Sequence, residues 1–160
     1  MQNLLIMTLL VVSSLSLSAK QVLLGPTLNS QEEIQEALID LEPGDVLTLE
    51  PGEYFFEDGI SLDVNDVIFE GSGIDDTILN FGNQISGAQG LLVTSDNVTL
   101  RDFAVLDAKG DAIKVIGVDG INMIRLRTEW TGGPKATNGA YGFYPVESKD
   151  VLIDGCVAIG

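Results

Sequence analysis

Two adjacent carboxylates, Asp75 and Asp76, are the first residues in this chain that invite a chemical reading. They sit inside "NDVIFEGSGIDDTILNF" (65–81), after Gly71-Ser72-Gly73 and before an apolar strand-like run. Glycoside hydrolysis uses two carboxyl groups held roughly 5 to 9.5 Å apart across a sugar. Neighbours in a strand point to opposite faces, so an adjacent pair rarely shares a substrate. In a turn, by contrast, aspartate bonds its own backbone and glycine supplies the tight conformation. Asp75 and Asp76 therefore read as a corner. Histidine is absent from the chain, which removes the commonest general base, the commonest zinc ligand and any Ser-His or Cys-His nucleophile.

The richer candidate is "TEWTGGPKATNGAYGFY" (128–144), a Gly-Pro-containing insertion of the kind that carries function on a rigid scaffold. Trp130, Tyr141 and Tyr144 offer flat faces for sugar rings, and Lys135 and Asn138 could reach hydroxyls or a carboxylate. These five are the expected substrate-binding residues. The same aromatic groups, Trp130 and Phe143 above all, would equally serve to anchor the loop. A second polar, Gly-rich stretch, "NFGNQISGAQG" (80–90), could form the same rim. Lyase or epimerase chemistry on an acidic sugar needs a base, a proton donor and a cation that stabilises the enolate-like intermediate. The chain could supply Lys or Tyr for the first two and Arg101, Arg125 or Arg127 for the third. No catalytic residue and no metal ligand is assigned from the sequence, and whether the protein is an enzyme stays open.

Charge narrows the partners. Across 160 residues, 24 Asp and Glu outnumber 8 Lys and Arg, a formal charge of −16. Such a surface repels nucleic acid and anionic lipid. It attracts cations, and Ca²⁺ is the cofactor an acidic chain of this kind could use. A single cysteine, Cys156, excludes an internal disulfide. Residues 1–19, "MQNLLIMTLLVVSSLSLSA", read as a secretory signal peptide cleaved after Ala19 or Ser18, too short for a membrane span of roughly 20 apolar residues. The expected destination is periplasmic or extracellular.

Which elements would hold these groups? "NSQEEIQEALIDLEPGD" (29–45) predicts an amphipathic helix, with Ile34, Ala37, Leu38 and Leu41 in one stripe and Ser30 and Glu33 at capping-box spacing. Residues 20–45 then form an N-terminal cap. From residue 46 the sequence repeats. Val67, Val98, Ile121 and Val151 recur at separations of 31, 23 and 30 residues, and Phe69, Leu100, Met123 and Ile153 follow two positions on. Each is preceded by a polar turn (Asn65-Asp66, Asp96-Asn97, Asp119-Gly120, Lys149-Asp150) and, before it, another strand. A unit of this length made of period-two strands, with no intervening helix, predicts an all-β right-handed parallel β-helix with the aliphatic columns inside. The Asx column predicts a side-chain ladder at one corner, with calcium as the rival use of the same oxygens. Cys156 falls in the inward column of Ser72, Phe103 and Leu126.

The helix ending "LEPGD", then "VLTLEPGEY" and "VIFEGSGIDDTIL", resembles the cap and first rungs of secreted bacterial right-handed parallel β-helix repeat proteins, relatives by fold of pectate lyases and alginate epimerases. "GAYGFYPVESKDVLIDGCVAIG" resembles an exported two-repeat subgroup of unassigned function, often found with a c-type cytochrome-like partner. The resemblance implies binding or lyase- or epimerase-type modification of an acidic polysaccharide. Its alternative is a non-catalytic periplasmic scaffold that docks a c-type cytochrome-like protein. The catalytic residues of such families sit on later rungs, so none carries over. Residues 46–160 are expected to be the first rungs of a coil incomplete at its C-terminal end.

Overall fold

The computed structural model describes residues 18–160, so the expected signal peptide falls outside the described residues but for its last two positions. β1 (Gln21–Leu24) is followed by the only helix among them, α1 (Ser30–Ile39). Strands then run β2 (Val46–Leu49), β3 (Gly52–Phe55), β4 (Ile60–Leu62), β5 (Ile68–Glu70), β6 (Thr77–Asn80), β7 (Gln89–Val93) and β8 (Val98–Leu106). They continue as β9 (Asp111–Ile116), β10 (Asp119–Glu129), β11 (Phe143–Val146), β12 (Lys149–Asp154) and β13 (Val157–Ile159). Every pairing is parallel. β4, β7, β9 and β11 stack into one sheet; β1, β2, β5, β8, β10 and β12 stack into a second, which bends into a third face through β3, β6 and β13. The chain thus visits the faces in rotation, and each strand lands beside its counterpart one rung earlier.

The repeat columns are the core. Phe69 pairs with Leu100, Leu100 with Met123 and Met123 with Ile153, while Val98 pairs with Ile121 and Ile121 with Val151. Val67, Phe69, Val98, Leu100, Ile121 and Met123 are buried, each contributing about 1.5–3 kcal/mol by leaving water. Phe56 and Phe81, one rung apart, stack at 4.6 Å inside the coil. On the last rung Val151, Ile153 and Val157 are partly exposed.

Two corners set the turning. At the first, Asp66, Asn97 and Asp150 hold φ of 60°, 56° and 48°, and Gly120 takes the same position at 86°. Asx residues tolerate this left-handed region because their short polar side chains bond locally. Here they also bond between rungs: Asn97 Nδ2 donates to Asp66 Oδ1 (3.0 Å), and the amides of Asp96 and Asp119 donate to Asn65 Oδ1 (2.8 Å) and Asp96 Oδ1 (2.7 Å). The second corner kinks β8 and β10 at Asp102 (62°) and Arg125 (46°), with Gly155 (63°) next in line. The Arg125 guanidinium lies across it on both Asp102 oxygens, at 2.6 and 2.7 Å, and this carboxylate raises the already high pKa of Arg125.

α1 closes one end of the coil. Ile34, Leu38 and Leu41 plug the core. Gln31 and Gln35, one turn apart, treat the exposed edge as a strand would. Gln31 Oε1 accepts from the amides of Glu57 (2.6 Å) and Asp58 (3.1 Å), and Gln35 both accepts from the Ser61 amide (2.8 Å) and donates to its carbonyl (3.0 Å). The expected capping box is not formed. Ser30 is the first helical residue rather than the cap, and its hydroxyl bonds back to Thr27, whose own hydroxyl holds Glu33. Just beyond the helix, the buried Asp45 carboxylate accepts the amides of Glu42 (2.9 Å) and Lys20 (2.6 Å), which lowers its pKa from the usual 3.8.

A folded-state pKa below the unfolded one stabilises the fold above the unfolded value, and that contribution disappears as pH falls through the folded value. Asp45→Asn should therefore melt at a lower temperature than the parent at pH 7, with the gap closing below about pH 4. Thermal unfolding followed across that range reads it. Leu38→Ala should cost about 2–5 kcal/mol in urea unfolding through the cavity it leaves. Gln35→Leu, which removes the edge bonds but keeps bulk, should cost about 1 kcal/mol.

Candidate functional site

Alternation along the four-stranded sheet decides what faces outward. Phe143 and Pro145 pair with Ile113 and Val115 toward the core, so Tyr144 pairs with Lys114 on the outer face. Ser61, Leu92, Lys114 and Tyr144 are consecutive partners in register and form one outward column. The Tyr144 ring stacks on Tyr141 at 4.4 Å with 21° between planes, and the Lys114 ammonium lies 5.4 Å from the Tyr144 ring centroid. Tyr144 thus meets both the Tyr141 ring and the Lys114 ammonium. Tyr141 is half exposed. Lys114 was not singled out from the sequence. The signal was there: it occupies the same place in "AIKVIGV" that Tyr144 occupies in "GFYPVES".

The insertion is tied down at several points. Trp130, expected to offer a stacking face, is 8% exposed and donates its Nε1–H to the Ala108 carbonyl at 2.7 Å. It is the loop's anchor, because burying an indole N–H demands a partner and Ala108 supplies one. Thr131 bonds both Asp107 oxygens at 2.7 Å. Asn138 donates its side-chain amide to the Gly133 carbonyl (3.0 Å) and its backbone amide to the Lys135 carbonyl (3.1 Å), so it shapes the loop from within. Lys135 is exposed and folds back toward Gly132. Gly139 seats on the Gly110 carbonyl and Gly110 on that of Ala88, with no room for a Cβ at either glycine. The 80–90 stretch lies beneath the turn at Lys109-Gly110: buried Gln84 donates to the Gln89 carbonyl (2.9 Å) and accepts the Lys109 amide (3.0 Å). Tyr141 and Tyr144 are thus brought together; Lys135 and Asn138 are on the same loop but not in contact with them.

Electrostatics single out the same face. Arg101, Arg125, Arg127 and Lys149 each lie within 4.0 Å of a carboxylate, on Glu70, Asp102, Glu129 and Asp119 respectively. Among the described residues Lys20, Lys109, Lys114 and Lys135 have no such ion pair. Three of these four are on β9, the turn before it and the insertion. The three arginines expected to stabilise an enolate lie on the opposite strands, β8 and β10, engaged with acids there. Asp75 is exposed at its corner, 3.5 Å from Arg127, while Asp76 donates its amide to the Gly73 carbonyl in a turn (3.2 Å). Among the described residues no group of three or more acidic, Cys or His side chains converges as a metal site. Cys156 points inward, its Sγ 3.3 Å from the Met123 carbonyl.

Parallel in-register rungs, inward aliphatic columns and one capping helix among the described residues define a protein of the parallel β-helix class. Consistent with this, a PL6 family alginate lyase, AlyGC, is structurally similar with a TM-score of 0.58 at 19% identity, over 86% of this chain. The chain spans 20% of that lyase's length. No protein-family model matches the chain, and no curated protein matches it.

Trp130 is the only tryptophan, so its fluorescence reports on the loop alone. Emission should be blue-shifted and resistant to acrylamide in the native protein. Trp130→Ala should lose about 3–5 kcal/mol and open residues 131–142 to limited proteolysis, which mass spectrometry of the fragments would locate.

Proposed function

We propose that this is an exported protein that binds an acidic polysaccharide on the outer face of the β4-β7-β9-β11 sheet. The observation that carries the reading is the Tyr141-Tyr144-Lys114 group: an exposed aromatic face and an unpaired ammonium held one rung apart on a rigid sheet. An aromatic face suits the C–H side of a sugar ring, and the ammonium suits a carboxylate on it. On a chain of charge −16, unpaired lysines on one side give a polyanion a place to approach that the rest of the surface denies it. Lys109 and Lys135 flank that approach. The similar alginate lyase makes alginate the first polymer to try. Export rests on the leader-like residues 1–19.

Binding is the part of the expected activity that the geometry favours. Of the cations that lyase or epimerase chemistry would set beside the ionised sugar carboxylate, the three arginines are held by Glu70, Asp102 and Glu129 on another face, which leaves Lys114 to meet the carboxylate.

The test is affinity electrophoresis of the protein through gels containing alginate, pectate or a neutral glucan. The two acidic polymers should retard it, with retardation weakening as salt rises, and the glucan should not. Tyr141→Ala and Lys114→Met should each weaken binding by about tenfold, ~1.4 kcal/mol, without lowering the melting temperature. Free migration of the parent protein through both acidic gels at low salt would remove the proposal.

A further inference from the structure

The geometry points to a terminal subsite for the same polymer at the helix cap, a reading that rests on the polysaccharide proposal above. A cavity of about 250 Å³ lies where the last turn of α1 meets the first rung, lined by Leu38, Ile39, Ser61, Asp63 and Val64. It is not an isolated hollow. Ser61, in its wall, is the first member of the outward column that continues through Leu92 and Lys114 to Tyr144. Beside that column runs a second, in which Asp63 accepts the Thr94 hydroxyl at 2.8 Å and Ile116 pairs with Val146. The sheet therefore offers a straight track of two columns, with Tyr144 on its last strand, Tyr141 stacked on it from the insertion, and the cavity at its first strand. Three rung steps separate Ser61 from Tyr144, a span of roughly 14 Å at ~4.8 Å per step.

The helix makes the cavity an end rather than a passage. Gln35 holds both backbone groups of Ser61, which fixes α1 against the strand edge, and Ile39 stands exposed on its last turn beside the cavity. An extended chain lying along the track would stop there. The chemistry of the two ends differs. At Lys114 the track meets a carboxylate; in the cavity the apolar Leu38, Ile39 and Val64 lie beside one hydroxyl and the unoccupied oxygen of Asp63, a lining suited to the hydroxyl groups and C–H face of a chain's last sugar. The bound species is then an oligouronate aligned with the coil axis, one terminus seated under α1.

Titration of alginate oligomers of defined length, from disaccharide to hexasaccharide, tests this by calorimetry. Affinity should climb with length until the oligomer exceeds ~14 Å and then level off. Ser61→Trp, which fills the cavity from the strand, should weaken the long oligomers by about tenfold and leave the disaccharide unchanged. Ile39→Trp blocks the same space from an exposed helix position, so it gives the same reading should the strand variant fold poorly. Tyr141→Ala should weaken every length. Equal affinity at all lengths, or full affinity for long oligomers in both tryptophan variants, overturns the terminal subsite while leaving the polysaccharide proposal standing. Failure of the parent protein to bind any length overturns both.

Discussion

In a coil of parallel strands, every backbone N–H and C=O of a rung points along the axis toward the next rung. No rung can satisfy itself, and the cost of leaving such groups unpaired away from water, about 1–3 kcal/mol each, is what makes stacking compulsory. This constraint organises the molecule. It explains why the pairings run in register from β1 to β12, and why a helix carries glutamines at its first and second turns. Gln31 and Gln35 are amides on side chains: both accept strand-edge N–H groups as a further strand would, and Gln35 also donates to the Ser61 carbonyl. Beneath them Ile34 and Leu38 close the apolar bore, so one ten-residue helix answers both the polar and the apolar requirement of an open end.

Turning the chain within a rung raises a second requirement, since a left-handed residue is needed where the strand changes face. The two corners meet it differently. One uses Asx residues, whose side chains then bond from rung to rung and tie the corner along its length. The other places an arginine in the left-handed region, which sequence preference disfavours, and secures it with two bonds to Asp102 in the rung below. The acids of this chain are therefore less a uniform surface than a set of fasteners at its bends. The lysines without partners lie elsewhere, around β9 and the long insertion.

The inward columns are legible in the sequence because period-two alternation repeats at 31, 23 and 30 residues, and only stacked strands make such spacings coincide. The Asx corner is legible for a related reason: few residues tolerate that conformation. The helix stop is not, since Pro43-Gly44 would end it there while α1 already ends at Ile39 with Asp40 as its cap. What escapes is whatever depends on cross-rung contact without a local signature. Gln31 and Gln35 look like ordinary polar helix residues. Ser30 has capping-box spacing, yet the chain turns one residue earlier and Thr27 takes its hydroxyl. Lys114 gains meaning only when Tyr144 is laid over it. Trp130 offers two readings in the sequence, stacking face and loop anchor, and only the rung below, where Ala108 partners its N–H, decides for the anchor. Residue type reports what a side chain can do, while register decides whom it meets.

The seam formed by Ala88, Gly110 and Gly139, where backbone lies directly on backbone, has a further consequence. Polypeptide leaves and re-enters the scaffold there with the turns packed at fixed height, whether the excursion is the compact one at Asp107–Gly110 or the long one that follows Trp130. Length added outside such a seam costs little, since closure entropy grows only slowly with loop size. The site is thus a natural splice point, at which a foreign peptide could be grafted between Thr131 and Asn138 while the stacked frame underneath keeps its geometry.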